Sequence, residues 1–114
     1  SYLCPVSISG SPNTTQSSGN CGDNNIWDNC RMSGGYYGVV FYGISFAPFN
    51  TNNRVTNSSI EDFYYMGFYN YYCVSTTIGG NVIERLNRVN TTTTYAIFLQ
   101  FGSLNTIVEK NHIR

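Results

Sequence analysis

Charge is scarce in this 114-residue chain: six Lys+Arg stand against six Asp+Glu, 11% of the residues in all, and the net charge is zero. Without a basic run there is no electrostatic footprint for a nucleic-acid partner, so none is expected. Strong helix formers are scarce too, since Ala, Leu, Glu, Lys and Gln together supply only 12 residues, and the composition argues against a helical protein. No run approaches the roughly 18 consecutive apolar residues of a membrane helix. The longest, around Val39–Tyr42, has the length of a strand, so this segment is not expected to insert into a membrane. One histidine accompanies Cys4, Cys21, Cys30 and Cys73, and no CxxC pair occurs among them, which disfavours zinc; no cofactor is implied. There is no initiating Met and no signal peptide at Ser1, so the start reads as a processed or truncated edge.

What is abundant is equally directive. Asn (15), Ser (12) and Thr (11) make a third of the chain, ten residues are Tyr, and 41% hydrophobic content is too high for a disordered segment. Self-similarity then organises the sequence. The segments 25–32, 53–60, 81–89 and 106–113 each place an apolar residue, a polar turn, and another apolar residue five or six positions on. Their first apolar residues, Trp27, Val55, Ile83 and Val108, are spaced by 28, 28 and 25 residues, and Asn25, Asn53 and Asn81 keep the 28. Phe41, Tyr69 and Ile97 are again 28 apart, inside the aromatic runs 36–46, 63–72 and 95–101. Turn clusters at 50–52, 76–80 and 90–94 separate the runs.

Short strands, tight turns and no helix, repeating at this length, predict an all-β parallel solenoid of about four coils of 25–28 residues over 24–114. Coils would stack at the inter-strand spacing of about 4.8 Å, turning equivalent positions into ladders. The register predicts inward columns Trp27/Val55/Ile83/Val108 and Met32/Ile60/Val89/Ile113, with Phe41/Tyr69/Ile97 as the third, while Asn25, Asn53 and Asn81 form a structural ladder at turns that suit left-handed backbone. Residues 1–23, rich in Ser, Gly, Asn and Thr, read as an irregular lead-in or linker.

The phrases Asn-Ser-Ser-Ile-Glu-Asp-Phe at 57–63, Ile-Glu-Arg-Leu-Asn-Arg-Val at 83–89 and Asn-Thr-Ile-Val-Glu-Lys-Asn-His-Ile at 105–113 resemble right-handed parallel β-helix repeats of the pectate-lyase-like superfamily. More narrowly, the Thr- and Tyr-rich stretch 90–97 resembles repeats of large secreted or cell-surface proteins of Bacteroidota, which carry a C-terminal sorting domain for the type IX secretion system. The resemblance implies a fragment of a longer solenoid, located extracellularly or on the cell surface, with further β-helix coils of the same protein as its neighbours. It specifies fold and says little of chemistry.

Catalysis on such a fold needs clustered carboxylates with a basic partner, and here the acids are dispersed. Glu61 and Asp62 are adjacent and point to opposite faces of a strand. Asp28, Thr56, Glu84 and Glu109, each one residue past the inward ladder, are expected along one outer face, near Arg85 and Lys110, as a solvated surface. His112 has no acidic partner at a matched position, and no nucleophile motif is present, so an enzyme is not the favoured reading. The tyrosines cluster instead on the second strand region. Tyr65, Tyr69, Tyr71 and Tyr95 are the candidate binding residues, an outward stripe offering flat apolar rings with hydrogen-bonding tips to extracellular or cell-surface polysaccharide or to a partner. The competing reading is that Tyr is there for strand propensity and stacking alone.

Cys21 and Cys30 either close a bridge that staples the loop before the first strand, or Cys30 stays a buried thiol; Cys73 has no near partner in sequence. Asn13, Asn57 and Asn90 head glycosylation-type triplets, which chance supplies in so Asn/Thr-rich a chain. Function is thus expected to be that of a structural or adhesive module, with a non-catalytic part of a polysaccharide lyase or glycoside hydrolase, or a phage tailspike-like β-helix, as rivals.

Overall fold

The computed structural model describes residues 4–11, 16–89 and 93–114, and among these every regular element is a strand. A first strand, β1 (Val6–Ile8), is followed by β2 (Ile26–Asp28), β3 (Arg31–Ser33) and β4 (Tyr37–Tyr42), which form one turn of chain. The second turn comprises β5 (Asn50–Thr51), β6 (Arg54–Thr56), β7 (Ser59–Glu61) and β8 (Met66–Tyr71). The third comprises β9 (Cys73–Val74), β10 (Thr77–Gly79), β11 (Val82–Glu84) and β12 (Tyr95–Gln100), after which β13 (Ile107–Glu109) and β14 (His112–Ile113) begin another. All pairings are parallel and run between equivalent strands of successive turns: β1-β4-β8-β12, β2-β6-β10-β13, β3-β7-β11-β14 and β5-β9. The chain is a parallel β-solenoid of about three turns, somewhat shorter than the four coils expected. No helix among the described residues is long and apolar enough to cross a membrane.

Local sequence explains the corners. After β1, whose middle residue Ser7 faces out, each three-residue strand presents its middle residue inward, and the residue that turns the chain into the next strand takes left-handed backbone. Asn24, Asn52, Ser75 and Asn105 do so at one corner, with φ of 58°, 60°, 53° and 53°; Asn29, Asn57, Gly80 and Lys110 do so at the next, with φ of 55°, 50°, 68° and 55°. Asn is enriched here because its short amide makes this region tolerable to an L residue. The left-handed residues are therefore Asn24 and Asn52, not Asn25 and Asn53. The latter two, half-buried and fully buried, point inward and bond along the axis: Asn25 N and Nδ2 both donate to Asn53 Oδ1, at 2.9 and 3.0 Å.

The third turn departs from the predicted register. Val55 pairs with Ile78, and Ile78 with Val108, so the first column is Trp27/Val55/Ile78/Val108. Ile83 belongs to the second, Met32/Ile60/Ile83/Ile113, and Val89 is 94% exposed in the loop beyond it. Asn81 likewise leaves the Asn25/Asn53 ladder, where Thr76 sits, and joins Ser58 and Asn111. The cause is unequal loops. The first turn carries the long connection 43–49, the second has only Tyr72 at that corner, and the third inserts residues 85–94 between β11 and β12. In the third aromatic column Val39, Phe68 and Ile97 align, while Phe41 faces Asn70 and Tyr69 faces Val40 and Phe98. The lead-in is not wholly irregular, since β1 lies on β4.

The interior joins an apolar core to polar ladders. Val39, Phe41, Val55, Ile60, Phe68, Ile78 and Ile83 are buried together, with the Phe41 and Phe68 rings edge-on at 5.0 Å. Burying each such side chain contributes about 1.5–3 kcal/mol. Beside them the buried amides are matched: Asn81 Oδ1 accepts from Ser58 N at 2.9 Å, and Asn81 Nδ2 donates to Val55 O at 3.0 Å. Asn70 Nδ2 donates to Cys73 O and Ser103 Oγ, and Thr76 Oγ1 donates to Asn70 Oδ1. Matched in this way, the amides avoid the penalty of an unsatisfied buried group.

Candidate functional site

Strands β4, β8 and β12 alternate in facing, so what they do not bury in the core they place on the outer wall. That wall carries a second apolar cluster around Tyr37, Val40, Met66 and Tyr69, flanked by Tyr36, Tyr42, Tyr65, Tyr71 and Phe98. Cross-strand stacking links them. Tyr42 and Tyr71 lie face to face at 4.1 Å and 13°, and Tyr69 stacks on Phe98 at 5.7 Å and 2°. At one margin Tyr36 stacks on Tyr64, with the Arg88 guanidinium 5.8 Å from the Tyr64 ring centre. At the other, Phe49, Tyr72 and Phe101 stack in turn at 6.2 and 6.4 Å.

The four sequence-predicted tyrosines all fall on this stripe. Tyr65 meets Tyr95 at 5.8 Å and Tyr37 at 6.3 Å, Tyr37 meets Tyr69 at 6.0 Å, and Tyr69 meets Tyr71 at 6.5 Å. Their roles differ, because Tyr69 is only 6% exposed whereas Tyr95 is 37% exposed. Tyr69 is packed within the stripe, and its hydroxyl donates to Gln100 Oε1. Burial, then the neighbouring phenols, push its pKa up to about 12; burial and the bond with Tyr71 push Tyr42 up as well. Both rings are therefore neutral at physiological pH. Phe98, Phe101 and Tyr42 also belong to the surface. The two-residue spacing of Tyr69 and Tyr71 was a usable signal, whereas Phe98 and Phe101 required the β12 register.

The acids do not converge. Asp28 shares its column with Thr56, Gly79 and Glu109, whereas Glu84 stacks beside Glu61, which corrects the expected Asp28/Thr56/Glu84/Glu109 face. Hydrogen bonds from Thr56 Oγ1 (2.6 Å) and Asn57 Nδ2 (3.0 Å) hold the Asp28 carboxyl below its ordinary pKa. Glu61 is lowered by Arg31 and then Ser59, and Asp62 by the backbone and side chain of Asn87. Arg114 Nε lies 2.8 Å from Glu84 Oε2. Among the described residues no group of three or more His, Cys, Asp or Glu is placed to hold a metal ion. His112 is exposed on β14, tied through its backbone to Asn81 O.

Cys21 Sγ approaches Cys73 rather than Cys30, whose Sγ donates to Asp28 O at 3.3 Å. Asn57 occupies a left-handed corner and donates to Asp28, while the triplets headed by Asn13 and Asn90 lie outside the described residues.

The fold and its outer wall define a parallel β-solenoid repeat with an aromatic stripe along one face. Comparison with protein-family models, with curated proteins and with solved structures returns no match.

Proposed function

We propose that this chain is a structural, adhesive solenoid module of a secreted or cell-surface protein, and that it holds extracellular or cell-surface polysaccharide along the outer aromatic stripe. The observation that carries the reading is the continuity of that stripe across three turns, with ring surface open at Tyr95 and Phe101 and Phe98 half-buried between them. A pyranose ring sets its apolar face on an aromatic ring while its hydroxyls meet phenol and amide groups. Stacking occupies the faces of Tyr42, Tyr69 and Tyr71 and the side of Phe98 toward Tyr69, so these stiffen the wall, and contact falls to Tyr65, Tyr95, Phe101 and the side of Phe98 away from Tyr69.

The same reading makes further coils of the same protein its neighbours. Val108 and Ile113, whose equivalents in the second and third turns are buried, are 45% and 58% exposed. A cavity of about 340 Å³ opens beside Ile113, lined by Phe63, Ile83 and Ala96 together with the charged Glu84, Arg85 and Arg114. Placement among Bacteroidota surface proteins rests on the 90–97 repeat style, and a C-terminal sorting domain in the full-length gene is its check.

A glycan array probed with the wild-type chain and with Tyr95→Ala and Phe98→Ala tests the binding role. Selective binding, lost in both variants at unchanged melting temperature, is expected; binding to no glycan, or binding that both variants retain, overturns it. Turnover of uronic-acid polymers by the wild type would replace it with the enzyme reading.

A further inference from the structure

The fold brings together two cysteines that are 52 positions apart. Cys21, in the turn before β2, and Cys73, at the start of β9, have their sulfurs 3.8 Å apart. The other two thiols are engaged locally: Cys4 Sγ donates to Val6 O at 2.8 Å and Cys30 Sγ to Asp28 O at 3.3 Å. The surroundings hold Cys21 and Cys73 as a pair. Cys21 N donates to Asn50 Oδ1 at 3.2 Å, and Asn50 is the strand partner of Cys73 in the β5-β9 ladder. Gly43 leaves the space that the Cys73 sulfur fills, since a Cβ there would lie 2.9 Å from it. Cys73 is fully buried and fixed in a strand, whereas Cys21 is half-buried in a turn that has no ladder of its own. A disulfide needs the sulfurs about 2.05 Å apart, so a turn that yields by less than about 2 Å closes it.

We propose that Cys21 and Cys73 form a disulfide in an oxidising compartment, with a low-molecular-weight disulfide such as oxidised glutathione as the electron acceptor, and that the bond clamps the lead-in to the start of the third turn. The Cys21 thiolate attacks one sulfur of glutathione disulfide, forming a mixed disulfide and releasing one glutathione thiolate. Cys73 then attacks the Cys21 sulfur, its proton passing to the second departing glutathione thiolate. Two protein thiols are oxidised and one glutathione disulfide is reduced to two thiols, so atoms and electrons balance. Cys21 is the attacking group because solvent reaches it. The contact with Cys73 also holds its pKa below the ordinary thiol value, while the same contact and then burial raise that of Cys73. The bond closes a loop of more than fifty residues, the regime in which a cross-link restricts the unfolded chain strongly.

The test uses the full chain carrying Cys4→Ser and Cys30→Ser, incubated with oxidised or with reduced glutathione. Non-reducing trypsin digestion should join peptide 1–31 to peptide 55–85, and the oxidised chain should melt about 10 °C higher, a gain that reductant reverses. Cys21→Ser, which leaves the buried Cys73 in place, should abolish both effects. A glutathione adduct that persists on Cys21, or a linked pair with no gain in melting temperature, overturns the clamp. In the unsubstituted chain, a bond from Cys21 to Cys30 instead of Cys73 overturns the pairing. None of these outcomes bears on polysaccharide binding, so the two proposals fail separately.

Discussion

Asn81 shows what a single residue contributes to a solenoid wall. Buried to within 1%, it accepts from Ser58 N, donates to Val55 O, and bonds Asn111 on the following turn. Asn81→Leu would leave the Ser58 amide and the Val55 carbonyl unmatched in the interior, and should cost about 2–4 kcal/mol by denaturant unfolding. The corresponding change at Asn87, exposed beyond β11, should cost much less. Tyr69 makes the complementary point on the outer wall. Its folded pKa, near 12, lies above the unfolded phenol value of about 10, so the stabilisation of the neutral ring is complete below pH 10 and is lost as pH rises toward 12. Melting curves across that interval should fall for the wild type and fall less for Tyr69→Phe, which has no proton to lose.

At the scale of the element, the close approach of sheets is what forces particular residues. Strands β4 and β8 carry Gly38 and Gly67 where the inward isoleucines of β7 and β11 press against them. A Cβ at Gly67 would lie 2.5 Å from Ala96 O and 3.0 Å from Ile83 Cγ2. Gly67→Val should therefore destabilise by about 1–3 kcal/mol or more through overpacking, read as a fall in the urea midpoint at unchanged slope. Several strands were legible in sequence, because an inward apolar residue between polar neighbours recurs in β3, β6 and β7, whereas β5 and β10 lie within 50–52 and 76–80, which the sequence presents as turn clusters. Their register was not. Ile83 kept the 28-residue spacing from Val55 while lying five positions beyond the true partner, Ile78. A loop shortened at one corner and another lengthened at the next nearly restore the average period, and a period alone cannot separate them.

For the whole molecule the governing fact is that stacking has a direction. Asn25, Ser58 and Asn81 each donate a backbone N–H to a side chain of the following turn, and among the described residues β12, β13 and β14 are sheet edges beside open apolar residues. Such edges are templates for another strand. The isolated chain should accordingly self-associate with concentration in sedimentation experiments, and Val108→Lys with Ile113→Lys should suppress this at little cost in stability, since both side chains are already half exposed. Association undiminished in the double variant would place the sticky surface elsewhere, the aromatic stripe being the next candidate.

Composition and repeat by themselves determined that the described residues form strands and no helix, that these stack as a solenoid of short parallel strands, and that the tyrosines gather on one strand region. These follow from local preferences, which every residue carries wherever the chain goes. Only the tertiary structure decided that Ile78 and not Ile83 completes the Trp27 column, that Tyr69 is enclosed while Tyr95 stays open, and that Cys21 meets Cys73. Each depends on which residues of different turns lie above one another. That is set by the packing of the core once loops of unequal length have been set aside at the corners.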